Sequence, residues 1–222
     1  MKRYERNIGA LTKAEQTRLK TKRAAIAGCG GLGCYAAEFL ARLGIGHLTL
    51  IDGDVFAESN LNRQLYSLET NLGKNKAREA EKQLLQIRSD LSIEVIDTYL
   101  DDQNAWLFLR GHDVIIDALD SVEARLFIEQ AADLQEIPLI HGAVDGWNAQ
   151  VSTIFPRDFT LSKIYSGNTE IEKPSVLSFT PAFCASLQAA EAVKVMLNKG
   201  DILRKKLLTV DIRYNSFEII EL

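Results

Sequence analysis

The chain has 222 residues, a formal net charge of −4, and 46% hydrophobic against 25% charged residues. That balance belongs to an ordinary globular domain and excludes disorder, collagen and coiled coil; a chain of this length builds one core and so one domain. Acidic and basic residues are mixed along the chain, so no basic stripe serves a nucleic-acid backbone, and no apolar run reaches the ~20 residues of a membrane span.

The amino terminus, MKRYERNIGALTKAEQ, carries charge where a secretory signal needs an apolar run, so a cytoplasmic protein is expected. RAAIAGCGGLG then reads as a short apolar strand ending in glycines, followed by a helix from Leu32 to Leu43 that Gly44 and Gly46 stop. HLTLID is a second strand ending on Asp52, which completes a βαβ unit. After an irregular stretch from Gly53 to Gly73, KNKAREAEKQLLQI has helical spacing and SIEVIDTYL reads as a third strand. HDVIIDALD is a buried strand, SVEARLFIEQAADLQ a helix, and IPLIHGAV a further strand introduced by Pro138.

Strands alternating with helices imply an α/β, Rossmann-like doubly wound, mostly parallel sheet. Beyond Asp145 the pattern changes: NAQVSTIFP is a strand with no helix after it, and the polar stretch from Arg157 to Ser175 reads as a mobile loop. A helix from about Pro181 to Leu197 and a hairpin around Tyr214, Asn215 and Ser216 close the chain with antiparallel strands. The chain divides into a helical arm (1–21), a nucleotide-binding core (22–145), and a crossover loop with C-terminal strands (146–222).

GCGGLG places Gly28, Gly30, Gly31 and Gly33 in the G-x-G-x-x-G pattern between a strand and a helix, with Asp52 about 20 residues on to accept hydrogen bonds from a ribose. NAD is the usual ligand of that fingerprint, and an NAD-dependent redox protein is the first alternative. Against it stands DGDVFAESNLNRQLYS, which packs Asp54, Asn60, Arg63 and Gln64 after the strand end, with Lys74 and Lys76 opening the next helix. Hydride transfer has no use for cations beside the phosphates, whereas attack on phosphorus does, so the chemistry reads as nucleotidyl transfer.

GCGGLG, LIDGDVFAESNLNRQ, GKNK and IIDALD together resemble the ThiF/MoeB/HesA adenylyltransferases, which are similar to ubiquitin-activating enzymes. The resemblance runs from RYERNIG to FCASLQAAEAVKVM, nearly the whole chain. It implies an ATP-dependent reaction in which the C-terminal Gly-Gly carboxylate of a ubiquitin-like sulfur carrier protein (ThiS- or MoaD-like) attacks the α-phosphate and releases pyrophosphate. On the matching positions it implies Asp52 and Asn60 at the ribose, Arg63 and Lys76 at the phosphates, and Asp120 as ligand of Mg²⁺. Asp54, Gln64 and the loop glycines complete the nucleotide site. It implies further that Arg6 enters the partner's ATP site, making the active unit a homodimer.

Plainer readings stand beside these. Arg6 is equally a solvated arginine near a frayed terminus, Lys76 a helix-face lysine, Asp117 and Asp120 helix caps, and Asp54 a turn residue. A non-catalytic nucleotide-binding module remains as a third reading of the whole. Cys29, Cys34 and Cys184 form no C-x-x-C pair, so zinc is not expected, and Cys184 aligns with an apolar packing position. His47, His112 and His141 lack metal-ligand spacing and read as solvated or core histidines.

Overall fold

A computed structural model describes residues 2–166 and 174–222. Strands β1 (Arg23–Ala27), β2 (His47–Ile51), β3 (Ser92–Ile96), β4 (Val114–Asp117) and β5 (Leu139–Asp145) run parallel, and β6 (Asn148–Ile154), β7 (Lys206–Asp211) and β8 (Ser216–Glu221) continue the sheet antiparallel. The order is β3-β2-β1-β4-β5-β6-β7-β8, and the mostly parallel sheet with antiparallel C-terminal strands is the one expected. It reverses direction between β1 and β4, the switch point where open α/β sheets bind ligands.

Alternate residues of the parallel strands feed two cores. Ala24, Ile26, Leu48, Leu50, Val114 and Ile116 pack on one face with α2 (Gly31–Leu43), α3 (Lys76–Ile87) and α7 (Phe179–Leu197). Ala25, Ala27, Ile115 and Leu139 pack on the other with α4 (Ala105–Phe108), α5 (Val122–Leu134) and α6 (Thr160–Ile164). Burial on both faces explains why these strands read as continuous apolar runs.

Local signals set most helix ends. Gly44 closes α2 at φ 98°, Asn75 accepts from Arg78 N–H to open α3, and Ser121 accepts from Ala124 N–H to open α5. Ser121 therefore caps α5, and neither Asp117 nor Asp120 does. The short helix α1 (Lys13–Leu19) starts with a Thr12/Glu15 capping box. α7 begins two residues before the expected Pro181, which sits in its first turn where the missing N–H costs nothing.

The expectation of a mobile loop from Arg157 to Ser175 is corrected over its first ten residues. Asp158 is buried and binds Arg204 through two hydrogen bonds of 2.9 Å. The buried carboxylate of Glu129, on α5, accepts from the N–H groups of Leu161 and Ser162 and so caps α6 from a distance. No local sequence signal announces either bond. Residues 167–173 of that expected loop lie outside the described residues.

At the opposite edge of the parallel strands, the buried Thr49 hydroxyl joins the Nε2 atoms of His47 and His112, with His112 Nδ1 on the Leu109 carbonyl. His112 Nδ1 must carry a proton to meet that carbonyl, so its Nε2 accepts from Thr49 while the ring is neutral. Burial, aided by the Arg23 charge, holds both histidines below the usual 6.5. Around and below that value the unfolded chain binds more protons than the folded one, so stability is lost as the pH falls. The urea midpoint is expected to drop between about pH 7.5 and about pH 5.5, and His112→Gln is expected to flatten that slope.

Candidate active site

The glycine loop leaves β1 where its backbone has no room for side chains. Gly28 adopts φ +93°, and a Cβ there would lie 2.7 Å from the Ala118 carbonyl oxygen. A Cβ on Gly33 would lie 1.8 Å from the Gly28 carbonyl oxygen, so helix α2 and the loop meet only because Gly33 has none. Asp52, at the end of β2, ties the loop down: its carboxylate accepts from Cys29 N–H at 2.7 Å and from Asp54 N–H at 2.8 Å. Burial raises the Asp52 carboxyl above its usual range, opposed by those two N–H groups and by Lys76.

The polar segment after β2 folds back over this loop. Asn60 turns inward, its Oδ1 accepting from Ala57 N–H and its carbonyl from the N–H groups of Arg63 and Gln64. That arrangement sets the half-buried Arg63 at the cleft, its Nη1 donating to the Ser59 carbonyl at 2.8 Å. Gln64 is buried against Gly30, and its Oε1 has no hydrogen-bond partner among the described residues. Lys76 opens α3 with its side chain only 8% exposed and its Nζ 2.5 Å from Asp54 Oδ2. It is thus no solvated helix-face lysine, and the ion pair holds the Asp54 carboxyl below its usual range.

These groups line one cleft of about 1060 Å³ over the carboxyl ends of β1 and β4, which extends onto the antiparallel strands. Gly28, Gly30, Gly31, Asp52 and Asp54 form its floor on the β1–β2 side, with Arg63, Gln64 and Lys76 beside them and Asp120 across from β4. Asn60 and Gly33 do not line it; they support the backbone that does. Arg6 does not line it either. Arg6 is exposed in a 3₁₀ helix (Lys2–Asn7) whose Tyr4 ring packs under Gly44, while Asn7 binds Gln16, which binds the Leu43 carbonyl. The arm therefore sits at the carboxyl end of α2, whereas the cleft lies at its amino end, about 20 Å away for 13 residues at 1.5 Å each.

Several cleft residues carry no sequence signal. Tyr99, after β3, packs on Gly53, and Arg125, Gln150 and Tyr165 join in a network of their own. Asp117, fully buried, accepts from His141 Nδ1 at 2.7 Å, and His141 is a core histidine. All three cysteines are buried, and burial raises each thiol, that of Cys184 to about 12. No group of three His, Cys, Asp or Glu side chains among the described residues could by itself hold a metal.

Residues 4–222 match the ThiF family. The chain belongs to that family. It is 30% identical over 226 residues to the SAMP-activating enzyme E1 of Haloferax volcanii, covering 98% of this chain and 84% of that one. It is 35% identical over 202 residues to the molybdopterin-synthase adenylyltransferase of Haemophilus influenzae, covering 88% and 83%. In structure this ThiF-family chain resembles E. coli MccB solved with ATP, at TM-score 0.86 and 24% identity over 99% of this chain and 70% of that one, a likeness of fold.

The close approach of α2 to its loop makes a clean contrast. Gly33→Ala is expected to destabilise the protein by about 3 kcal/mol in urea, because the Gly28 carbonyl and α2 must separate. Gly31→Ala, whose Cβ would meet Pro181 at 3.4 Å and the Arg63 side chain at 3.8 Å, is expected to retain nearly wild-type stability.

Proposed function

We propose that the chain is an ATP-dependent adenylyltransferase that activates the C-terminal Gly-Gly carboxylate of a ubiquitin-like sulfur carrier protein, ThiS- or MoaD-like, in thiamine or molybdenum cofactor biosynthesis. The observation that carries this reading is the single cleft in which Arg63, Lys76 and Asp120 surround the glycine loop and whose floor continues onto β6 and β7. One half suits a nucleotide and the other an extended peptide. The names of the Haloferax and Haemophilus relatives support the same class, and an NAD-dependent redox role explains neither the buried lysine nor the second half of the cleft.

The glycine loop and the amino end of α2 offer N–H groups to phosphate, and Asp52 keeps lone pairs for a ribose after accepting from Cys29 and Asp54. The carrier carboxylate is ionised near pH 7 and attacks the α-phosphorus directly; the P–O bond to pyrophosphate breaks, leaving an acyl-adenylate. No general base is needed, and the task of Arg63 and Lys76 is to neutralise charge growing on the phosphates. Lys76 then exchanges Asp54 for phosphate oxygen.

The exposed Asp120 carboxylate, free of ion pairs among the described residues, fits Mg²⁺, which takes one or two carboxylates and completes its shell with phosphate and water. Bound there, Mg²⁺ supplies further neutralisation of the phosphates. The arm lies about 20 Å from its own cleft, which supports the reading that Arg6 serves a second copy in a homodimer. A cytoplasmic location fits this chemistry; no helix among the described residues is long and apolar enough to cross a membrane.

Carrier-dependent exchange of labelled pyrophosphate into ATP tests the reading, and background exchange with every Gly-Gly carrier encoded nearby overturns it. Lys76→Ala is expected to lower exchange at least ~100-fold. Freshly mixed Arg6→Ala and Asp120→Ala subunits are expected to recover activity that neither has alone, through one intact site per mixed dimer. Absence of recovery means Arg6 does not act across subunits.

A further inference from the structure

The two halves of the cleft differ in charge. Arg63 and Lys76 lie in the nucleotide half, whereas Asp145, Asp211 and Glu218 line the antiparallel half. Among the described lining residues the remaining cation is Arg125, on α5, at the junction of the two. Its side chain is 11% exposed and bound to both sides of that junction. Nη2 donates to the Leu119 carbonyl, next to Asp120, at 2.9 Å, and Nη1 donates to the Tyr165 hydroxyl at 3.1 Å. That hydroxyl also accepts from Gln150 of β6 at 3.0 Å.

The rest of the network gives the hydrogen bonds a direction. Asp117 takes the Nδ1 proton of His141, so neutral His141 presents Nε2 as an acceptor, 3.3 Å from the Tyr165 oxygen. Gln150 Nε2, at 3.2 Å, and the Tyr165 hydroxyl both face that acceptor, and the Tyr165 oxygen in turn accepts from Arg125 and Gln150. Arg125 is therefore held in one place by a buried chain from Asp117 through His141 and Tyr165. Its Nε–H has no hydrogen-bond partner among the described residues, and Asp117 Oδ2 stands 3.9 Å away. A guanidinium has five N–H donors, and two are committed.

We propose that Arg125 binds the ionised C-terminal carboxylate of the acyl donor and aims it at the nucleotide, with Tyr165, His141 and Asp117 as positioning residues. An anion crossing the antiparallel half passes three carboxylates, and Arg125 is the cation that offsets them. Contact to one carboxylate oxygen leaves the other free to attack. This assignment rests on the adenylation reading, and it separates the residue that holds the nucleophile from Arg63 and Lys76, which face the phosphates.

The test uses the whole protein saturated with a non-hydrolysable ATP analogue, titrated by calorimetry with a short synthetic peptide ending in Gly-Gly, as free carboxylate and as C-terminal amide. Wild type is expected to prefer the carboxylate by at least about tenfold. Arg125→Gln is expected to abolish that preference, Arg125→Lys to restore part of it, and Tyr165→Phe to weaken it, all with unchanged affinity for the ATP analogue. If Arg125→Gln folds poorly, Arg125→Lys and Tyr165→Phe carry the comparison. A preference retained in these variants, or a matching loss of nucleotide affinity, overturns the role of Arg125. A wild-type protein that binds the nucleotide but shows no preference overturns the adenylation reading instead.

Discussion

Asp52 accepts N–H bonds from Cys29 and from Asp54 at once, and much of the cleft follows from that double contact. The first bond draws the glycine loop after β1 against the end of β2; the second starts the polar segment that brings Arg63, Gln64 and Lys76 back over the loop. The Asp52 carbonyl extends the joint by accepting from Asn75, the residue that caps α3. A carboxylate removed from water gains much from N–H donors, because an unpaired one is costly to bury. The same side chain that is read as a ribose ligand therefore also fixes the architecture of the loop.

The two supporting glycines act by omission. Gly28 takes a backbone conformation that L side chains rarely adopt, and Gly33 lets α2 close on the carbonyl of Gly28. With α2 so placed, its amino end faces the cleft and its carboxyl end holds Tyr4 under Gly44. One helix thus separates the nucleotide loop from the amino-terminal arm, and its length keeps Arg6 away from the cleft of its own chain.

Much of the site was legible in sequence because it follows the chain locally. Gly28, Asp52, Lys76 and Asp120 each stand at or just after a strand end or at a helix start, and strand ends at the switch point converge in any doubly wound sheet. Asn60 and Gly33 were recognisable as motif residues, yet their motif does not say that they face inward. Arg125 and Tyr165 were not legible at all: one is a helix residue in an ordinary amphipathic run, the other lies within a polar stretch, and 40 residues separate them.

The sequence by itself determined the main alternation of strands and helices apart from α4 and α6, the parallel sheet with its antiparallel tail, and the glycine and acid positions, since apolar periodicity and turn residues encode short-range structure. Only the tertiary structure decided what long-range contacts do. It capped α6 with Glu129 from another helix, buried Asp158 against Arg204, and ran a hydrogen-bonded chain from Asp117 to Arg125 through His141 and Tyr165. These bonds join residues that only strand order brings together, and no local propensity records a partner so far along the chain.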